Sequence, residues 1–145
     1  MTRFVDLADG GRQLAPLVAP LLTEATVVVS LGAGGVVTGA AVAEALAVAV
    51  TPLVTTRTED GVAVEVNLDV DGRDVVVIDD GVETGTAARA VAMALRDAGA
   101  AHVVLAVPVC PREAEADLRP RFDAVVAVTR PLERRSLHWH YDSFA

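Results

Sequence analysis

Residues 75–87, VVVIDDGVETGTA, constrain the fold more than any other part of the chain. Four consecutive branched apolar residues, Val75 to Ile78, predict a buried strand. Two adjacent carboxylates follow the strand, then a short turn rich in glycine and threonine. A helix is predicted to begin at about Ala87. This order of elements predicts a strand whose acidic end lies beside the N-terminus of the following helix.

The same segment predicts a binding site for a sugar phosphate. Backbone N–H groups of the turn and the dipole of the helix would attract a phosphate. The carboxylates of Asp79 and Asp80 would accept hydrogen bonds from sugar hydroxyls or bind a hydrated Mg²⁺. The alternative is a strand–turn–helix connection without a ligand, in which the carboxylates are ordinary turn residues.

The rest of the chain alternates between predicted strands and helices, which indicates an α/β fold with a mostly parallel central sheet and helices on both faces. A predicted strand at 51–56, a turn at 59–61 and alternating apolar residues at 62–68 predict a short antiparallel β-hairpin over residues 52–68. The other predicted elements are helices at 11–23, 37–47, 87–98 and 112–118 and strands at 27–31, 102–109 and 124–128.

A flexible loop is predicted over Gly32 to Gly35, directly after the first strand. Ligands of parallel sheets bind at the carboxyl ends of the strands, so this loop and Asp79-Asp80 are expected to face one crevice. The loop's G-x-G-G pattern also occurs in dinucleotide sites, but the next strand ends in Thr55-Thr56-Arg57 and lacks the acidic residue that those sites need.

Composition narrows the class of protein. The 145 residues predict a single domain, 1–145, and 52% of them are hydrophobic. The formal net charge of −8 argues against a nucleic-acid partner. One cysteine excludes an internal disulfide, and the absence of an apolar leader or of a run of transmembrane length predicts a cytoplasmic protein without a membrane partner.

The residues Asp79, Asp80, Thr84, Gly85 and Thr86 resemble the ribose-phosphate signature of type I phosphoribosyltransferases, and the likeness extends from about Val27 to Phe144. This resemblance implies transfer of phosphoribose from 5-phosphoribosyl-1-pyrophosphate (PRPP) to a nitrogen acceptor, usually a nucleobase. It assigns the catalytic role to Asp79 and Asp80, which would also approach Mg²⁺ through its water shell. The 5-phosphate would bind to the turn formed by Gly81, Val82, Glu83, Thr84, Gly85, Thr86 and Ala87.

The resemblance assigns two further regions to the site. Gly32, Ala33, Gly34 and Gly35 would bind pyrophosphate, and the hairpin would form a hood from which Arg57 contacts the same group. Arg57 is equally interpretable as a solvated hairpin residue. A related subgroup has Leu-Pro-Arg-Gly-Gly where this chain has Leu31-Gly32-Ala33-Gly34-Gly35, so an arginine is replaced by Ala33. All twelve basic residues of the chain are arginines.

The tail holds the single Trp and the single Tyr of the chain. Trp139 and Tyr141 would either stack on a base near the crevice or fasten the tail to the core or to a subunit interface. The chain is predicted to bind PRPP and a nucleobase or nucleotide, and to form a homodimer. A PRPP- or nucleotide-binding module without catalysis is the second hypothesis, because the arginine of the pyrophosphate loop and any lysine are missing.

Overall fold

Six strands form one sheet in a computed structural model that describes residues 3–144. In chain order the elements are α1 (Leu7–Val18), β1 (Thr26–Leu31), α2 (Gly32–Leu46), β2 (Thr51–Thr58), β3 (Gly61–Glu65), β4 (Asp74–Ile78), α3 (Thr86–Asp97), β5 (His102–Val109), α4 (Arg112–Leu118) and β6 (Ala124–Thr129). Short 3₁₀ helices cover Ala19–Leu21 and Leu137–His140.

The sheet has the strand order β3-β2-β1-β4-β5-β6. All neighbouring strands are parallel except β2 and β3, which form an antiparallel hairpin. This confirms the predicted α/β class, the mostly parallel sheet and the hairpin. β4 lies between β1 and β5 at the centre of the sheet, where its apolar run is covered on both faces.

The two faces of β4 contribute to two separate cores. Val75 and Val77 pack with Val91 and Leu95 of α3. Val76 and Ile78 pack on the other side, in a cluster that includes Leu14 of α1. Successive strand residues point to opposite faces, so four consecutive apolar residues serve both cores. Helices α1 and α2 cover one face, and α3 and α4 cover the other.

Helix α1 begins at Leu7, four residues earlier than predicted, and Gly10 and Gly11 lie within it. The Asp6 side chain caps the helix by accepting the Asp9 N–H at 2.7 Å. Both glycines are required by packing. A Cβ on Gly11 would overlap the backbone of Thr38 in α2, and one on Gly10 would lie 3.1 Å from the Tyr141 hydroxyl.

Within residues 3–144, no helix combines the length and the apolar character needed to cross a membrane.

Candidate functional site

The carboxyl ends of β1 and β4 lie side by side, because Ser30 is the register partner of Ile78 in a parallel pair. The residues that follow each strand therefore share one edge of the sheet. A cavity of about 380 Å³ opens there, lined by Asp79, Asp80 and the turn after them. A second cavity of about 360 Å³ adjoins it and is lined by Gly32 and Ala33. The two cavities share Arg57, Val62, Asp79 and Ala87, and together they form one crevice.

The prediction of a flexible loop at Gly32–Gly35 is wrong, because these residues form the first turn of α2. Gly32 has φ +74°, which allows the chain to pass from β1 straight into a helix. The following glycines are needed because the helix start presses on the acidic pair. A Cβ on Gly34 would overlap the Asp80 carboxylate, and one on Gly35 would lie 3.1 Å from Asp79 Oδ1.

The first turn of α2 therefore reaches the crevice as a helix N-terminus. Among the described residues, no side chain caps either α2 or α3. The first N–H groups of both helices lack intrahelical partners, and they carry the positive end of the helix dipole. The site thus presents two helix N-termini beside two carboxylates.

Asp79 and Asp80 are half-buried and lie directly after β4. The Asp80 N–H donates to Asp79 Oδ1 at 2.7 Å. Burial, followed by the negative charge of Asp80, raises the pKa of Asp79 well above its usual range. Burial also raises the pKa of Asp80, although its hydrogen bonds with Asp79 partly oppose that change. Two partly desolvated carboxylates in contact form a pair that a cation or hydroxyl donors would stabilise.

The turn between the acidic pair and α3 is shaped by Gly85 and carries two threonine hydroxyls. Gly85 has φ +83° and stands immediately before α3, as a phosphate-wrapping turn requires. The hydroxyls of Thr84 and Thr86 lie 3.2 Å apart on the exposed side of this turn. A Cβ on Gly85 would not enter the crevice, because its nearest neighbours are Arg89 Nη1 at 3.1 Å and the Leu118 side chain.

Glu83 is the one acidic residue in this turn, and its carboxylate is directed towards the tail. It accepts the backbone N–H of Leu137 at 2.6 Å, at the start of the 3₁₀ helix. The Glu83 side chain therefore bonds to the tail and does not extend into the turn. Leu137 in turn contributes to the wall of the crevice.

Tyr141 is 3% exposed and packs against Phe4, with ring centroids 5.3 Å apart. Its hydroxyl donates to the backbone carbonyl of Asp80 at 2.6 Å. The ring therefore has no open face for a base, and the tyrosine fastens the tail to the loop of the acidic pair. This is the second of the two interpretations derived from the sequence.

Trp139 is half-buried, and it does not line the crevice. The Arg135 guanidinium lies over its ring, 4.5 Å from the centroid. The tail is also held by main-chain bonds to the chain start, from the Phe4 N–H to the His140 carbonyl and from the Asp142 N–H to the Phe4 carbonyl, each 2.8 Å long. Trp139 thus lies in a tail segment that is fastened to the N-terminal region.

Arg57 and Arg89 are two arginines that lie beside the predicted site residues. Arg57 lies on β2 opposite Val62 and lines both cavities of the crevice. Sequence reasoning missed Arg89, which donates to the Thr84 carbonyl at 3.1 Å and to Thr86 Oγ1 at 3.4 Å. Its position one turn into α3, three residues after Thr86, is the signal that could have identified it.

The side chains of the crevice fit one mode of Mg²⁺ binding, in which the ion keeps several of its waters. Across residues 3–144, no group of three or more His, Cys, Asp or Glu side chains could form a protein cage for a metal. Mg²⁺ commonly keeps several waters and takes one or two carboxylates together with substrate phosphates. Asp79 and Asp80, with their mutual repulsion, match that smaller requirement.

Comparison with known proteins identifies the class. The family model of the phosphoribosyl transferase domain matches residues 7–142. The chain belongs to this family. Two Mycobacterium tuberculosis proteins, MT0597 and Rv0571c, which are named as candidate phosphoribosyl transferases, are 31% identical to it over 183 aligned positions. The alignment covers 90% of this chain but only 41% of each relative, so the chain spans about two fifths of their length.

Solved structures show the same fold. The TT1426 protein of Thermus thermophilus superposes with a TM-score of 0.85 at 26% identity, covering 99% of this chain and 92% of that one. Purine phosphoribosyltransferase from Pyrococcus horikoshii superposes at 0.63 with 15% identity, covering 92% of this chain and 97% of that one. Adenine phosphoribosyltransferase from Rhodothermus marinus superposes at 0.61 with 22% identity, covering 81% and 77%. At these identities the last two matches concern the fold alone.

Proposed function

We propose that this protein transfers phosphoribose from PRPP to a nitrogen acceptor, with a nucleobase as the acceptor class, and releases pyrophosphate. One observation carries the proposal. The first turn of α2 packs on Asp79 and Asp80, and the turn that precedes α3 follows the same pair. Two anion-attracting helix starts thus flank a pair of carboxylates, and PRPP has two anionic ends on either side of a ribose.

In this assignment each part of PRPP has its own partner. The 5-phosphate binds to the N–H groups of Gly81 to Ala87, and the ribose hydroxyls donate to Asp79 and Asp80. The pyrophosphate lies at the first turn of α2, Gly32 to Gly35, with Arg57 above it. The acceptor nitrogen forms a bond to the sugar carbon as the pyrophosphate departs with the electrons of the broken C–O bond.

The residues accelerate this reaction by holding and stabilising charge. Positive charge develops on the sugar in the transition state, and the nearby carboxylates stabilise it. Negative charge grows on the departing pyrophosphate, which the α2 N-terminus and Arg57 stabilise. Mg²⁺, held by the pyrophosphate and by Asp79 and Asp80 through waters, would supply further neutralisation of the leaving group.

A PRPP- or nucleotide-binding module without turnover is the second candidate function. It is favoured by Ala33, which replaces a cation at the predicted pyrophosphate position, and by the absence of lysine from the chain. In that case the turn before α3 and the acidic pair would still bind ribose phosphate, while the leaving group would lack part of its stabilisation.

Two measurements separate these functions. The protein is incubated with PRPP, Mg²⁺ and a panel of purine and pyrimidine bases, and released pyrophosphate and nucleotide are quantified. Binding of PRPP and ribose 5-phosphate is measured by calorimetry in parallel. Nucleotide formation supports the transferase. Binding without product supports the module, and absence of both binding and product contradicts both functions.

We also propose that the protein is a homodimer that pairs through α1 and α2. Helix α2 has a single charged residue, Glu44, yet Val36 and Val37 are 44% and 37% exposed. A helix that is apolar on most sides is normally covered. Arg12 and Glu44 both line the groove on this face, so a twofold interface there can pair Arg12 with Glu44 of the partner subunit.

A further inference from the structure

A groove separate from the crevice lies along α3, and we call it the arginine groove. It encloses about 300 Å³ between α3 and the segment that joins α4 to β6. Its lining residues are Arg89, Ala92, Met93, Arg96, Pro120 and Arg121. None of these residues lines either cavity of the crevice.

Three arginines line this groove, although the chain carries a formal net charge of −8. Arg96 is paired with Asp123 at 3.0 Å. Within the described part of the chain, neither Arg89 nor Arg121 has a carboxylate within 4.0 Å. Like charges gathered in one groove repel each other, and an anion between them would relieve that repulsion.

The chemistry of the groove indicates the class of anion. Arginine presents a planar fork of N–H donors that matches the oxygens of a phosphate. Met93, which is 63% exposed, and Pro120 add apolar surface beside the charges. An organic phosphate, whose apolar part would lie on that surface, suits this lining better than a bare inorganic ion.

Arg89 connects the groove to the phosphate turn. Its guanidinium donates to the Thr84 carbonyl at 3.1 Å and to Thr86 Oγ1 at 3.4 Å, on either side of Gly85. A phosphate that binds in the groove competes with these two acceptors for the same N–H donors. Loss of the two hydrogen bonds would loosen the turn that precedes α3.

We propose that the arginine groove binds an organic phosphate, and that its occupation weakens ribose-phosphate binding at the turn before α3. Binding of an organic phosphate is inferred from the groove alone, whereas the effect on ribose-phosphate binding rests on the proposed function of the turn. Because such coupling is reciprocal, ribose phosphate at the turn would weaken binding in the groove by the same factor.

Phenyl phosphate is a suitable probe, because it joins a phosphate to an apolar ring and lacks ribose. Its binding is measured by calorimetry in the presence of saturating ribose 5-phosphate, for wild type, Arg121→Gln and Arg12→Gln. Among residues 3–144, no hydrogen bond or ion pair joins the Arg121 side chain to the turn, and Arg12 is an exposed arginine on α1, on the opposite face of the sheet. The two variants lose the same charge.

We expect Arg121→Gln to weaken phenyl phosphate binding about tenfold, the usual effect of losing one hydrogen bond to a charged group, and Arg12→Gln to leave it unchanged. Equal affinities in the two variants would overturn the groove as a site. Inorganic phosphate is titrated as a third arm. If it binds as tightly as phenyl phosphate, the assignment of an apolar moiety is wrong.

The coupling is tested by titrating ribose 5-phosphate with and without saturating phenyl phosphate. We expect the probe, at the concentration that just fills the wild-type groove, to weaken ribose 5-phosphate binding several-fold in wild type and by a smaller factor in Arg121→Gln. An unchanged affinity in wild type would overturn the coupling. If ribose 5-phosphate does not bind at all, the proposed function fails, while the comparison of Arg121→Gln with Arg12→Gln still decides the groove.

Discussion

The Tyr141 hydroxyl donates a hydrogen bond of 2.6 Å to the backbone carbonyl of Asp80, across 61 residues of chain. The ring lies in a small core with Phe4, Leu7 and Val109. This bond connects the buried tail to the loop that carries the acidic pair. The position of the carboxylates therefore depends on the last part of the chain as well as on β4.

Tyr141→Phe is expected to weaken ribose 5-phosphate binding several-fold and to lower the free energy of unfolding by about 0.5–1.5 kcal/mol, the net value of one hydrogen bond. The ring and its packing are kept, so only the attachment of the loop is lost. Ligand calorimetry and urea unfolding measure the two effects. Phe4→Leu is the control, since it disturbs the same core without touching Asp80, and an equal loss of affinity in both variants would contradict the prediction.

Asp79→Asn and Asp80→Asn are expected to weaken ribose 5-phosphate binding about tenfold or more while the protein stays as stable as wild type or becomes more stable at neutral pH. Burial raises the pKa of both carboxyls, and the charge of Asp80 raises that of Asp79 further, so the charged pair disfavours the fold and a neutral side chain relieves that cost.

The matched control for these variants is Asp74→Asn, at the opposite end of β4, where Asp74 pairs with His102 at 2.7 Å. It removes the same charge far from the crevice and should leave affinity unchanged. Calorimetry and thermal unfolding of the three variants provide the comparison. The assigned role of the pair fails if the affinities of all three agree.

Local sequence patterns predicted most of the fold, because most strands, helices and turns are specified by residues that lie close together in the chain. The bounds of β5 and α4 are those predicted, and the alternation after Thr51 correctly indicated the hairpin. The strand, the acidic pair and the turn after them were also predicted in the right order, although β4 and α3 each begin one residue earlier than predicted. Each of these features depends on side-chain period or turn chemistry within about ten residues.

The remaining features depend on contacts that no local pattern encodes. Residues 32–35 were interpreted as a loop, but they form the first turn of α2, and the acidic pair leaves no room for a Cβ at Gly34 and little at Gly35. The bond from Leu137 to Glu83 spans 54 residues, and that from Tyr141 to Asp80 spans 61. These links appear only when the tail is packed beside the turn.

Glu115 makes stability depend on pH below the neutral range. This buried side chain of α4 pairs with Arg119 at 2.8 Å and with Arg130. Burial alone would raise the pKa of Glu115, but hydrogen bonds and charges from the two arginines outweigh it and hold the pKa below its usual value. The stability from these pairs is therefore fully present above the unfolded-state pKa of about 4.3, and it is lost as pH falls through the lower folded-state pKa.

Glu115→Gln tests this pH dependence. We expect it to reduce the free energy of unfolding by about 1.5–3 kcal/mol near neutral pH, the range for hydrogen bonds to charged groups. The difference from wild type should shrink in acid, since wild type also loses the charge there. Urea unfolding of both proteins across this pH range measures the difference, and a constant difference would show that the carboxylate charge is not its source.

Val36→Glu is expected to separate the proposed dimer. A glutamate there would place an unpaired charge in the interface of α1 and α2, at a cost of about 3 kcal/mol or more, which is a hundredfold or larger rise in the dissociation constant. Leu132→Glu is the control, because Leu132 is 75% exposed outside this face. Light scattering should report a dimer for wild type and the control. A monomeric wild type, or two variants of equal mass, would contradict the interface.

Gly85→Val is expected to abolish ribose 5-phosphate binding in a protein that still folds. At φ +83° a branched side chain is strained, which costs about 1–3 kcal/mol, less than the 5–15 kcal/mol that stabilises a typical domain. The new side chain would also press on Arg89, 3.1 Å from its Cβ, and so displace the two hydrogen bonds that hold the turn. Calorimetry and thermal unfolding are measured on the same preparation.

Gly72→Val separates backbone strain from damage to the site. Gly72 has φ +68°, and a Cβ there would meet no atom within 4 Å. It lies in the turn before β4, at the end of the sheet opposite the crevice, where Asp74 begins the strand. The two variants should therefore lose similar stability, but only Gly85→Val should lose the ligand. If Gly85→Val binds ribose 5-phosphate as tightly as Gly72→Val, the turn before α3 does not hold the phosphate, and the transferase proposal loses its main support.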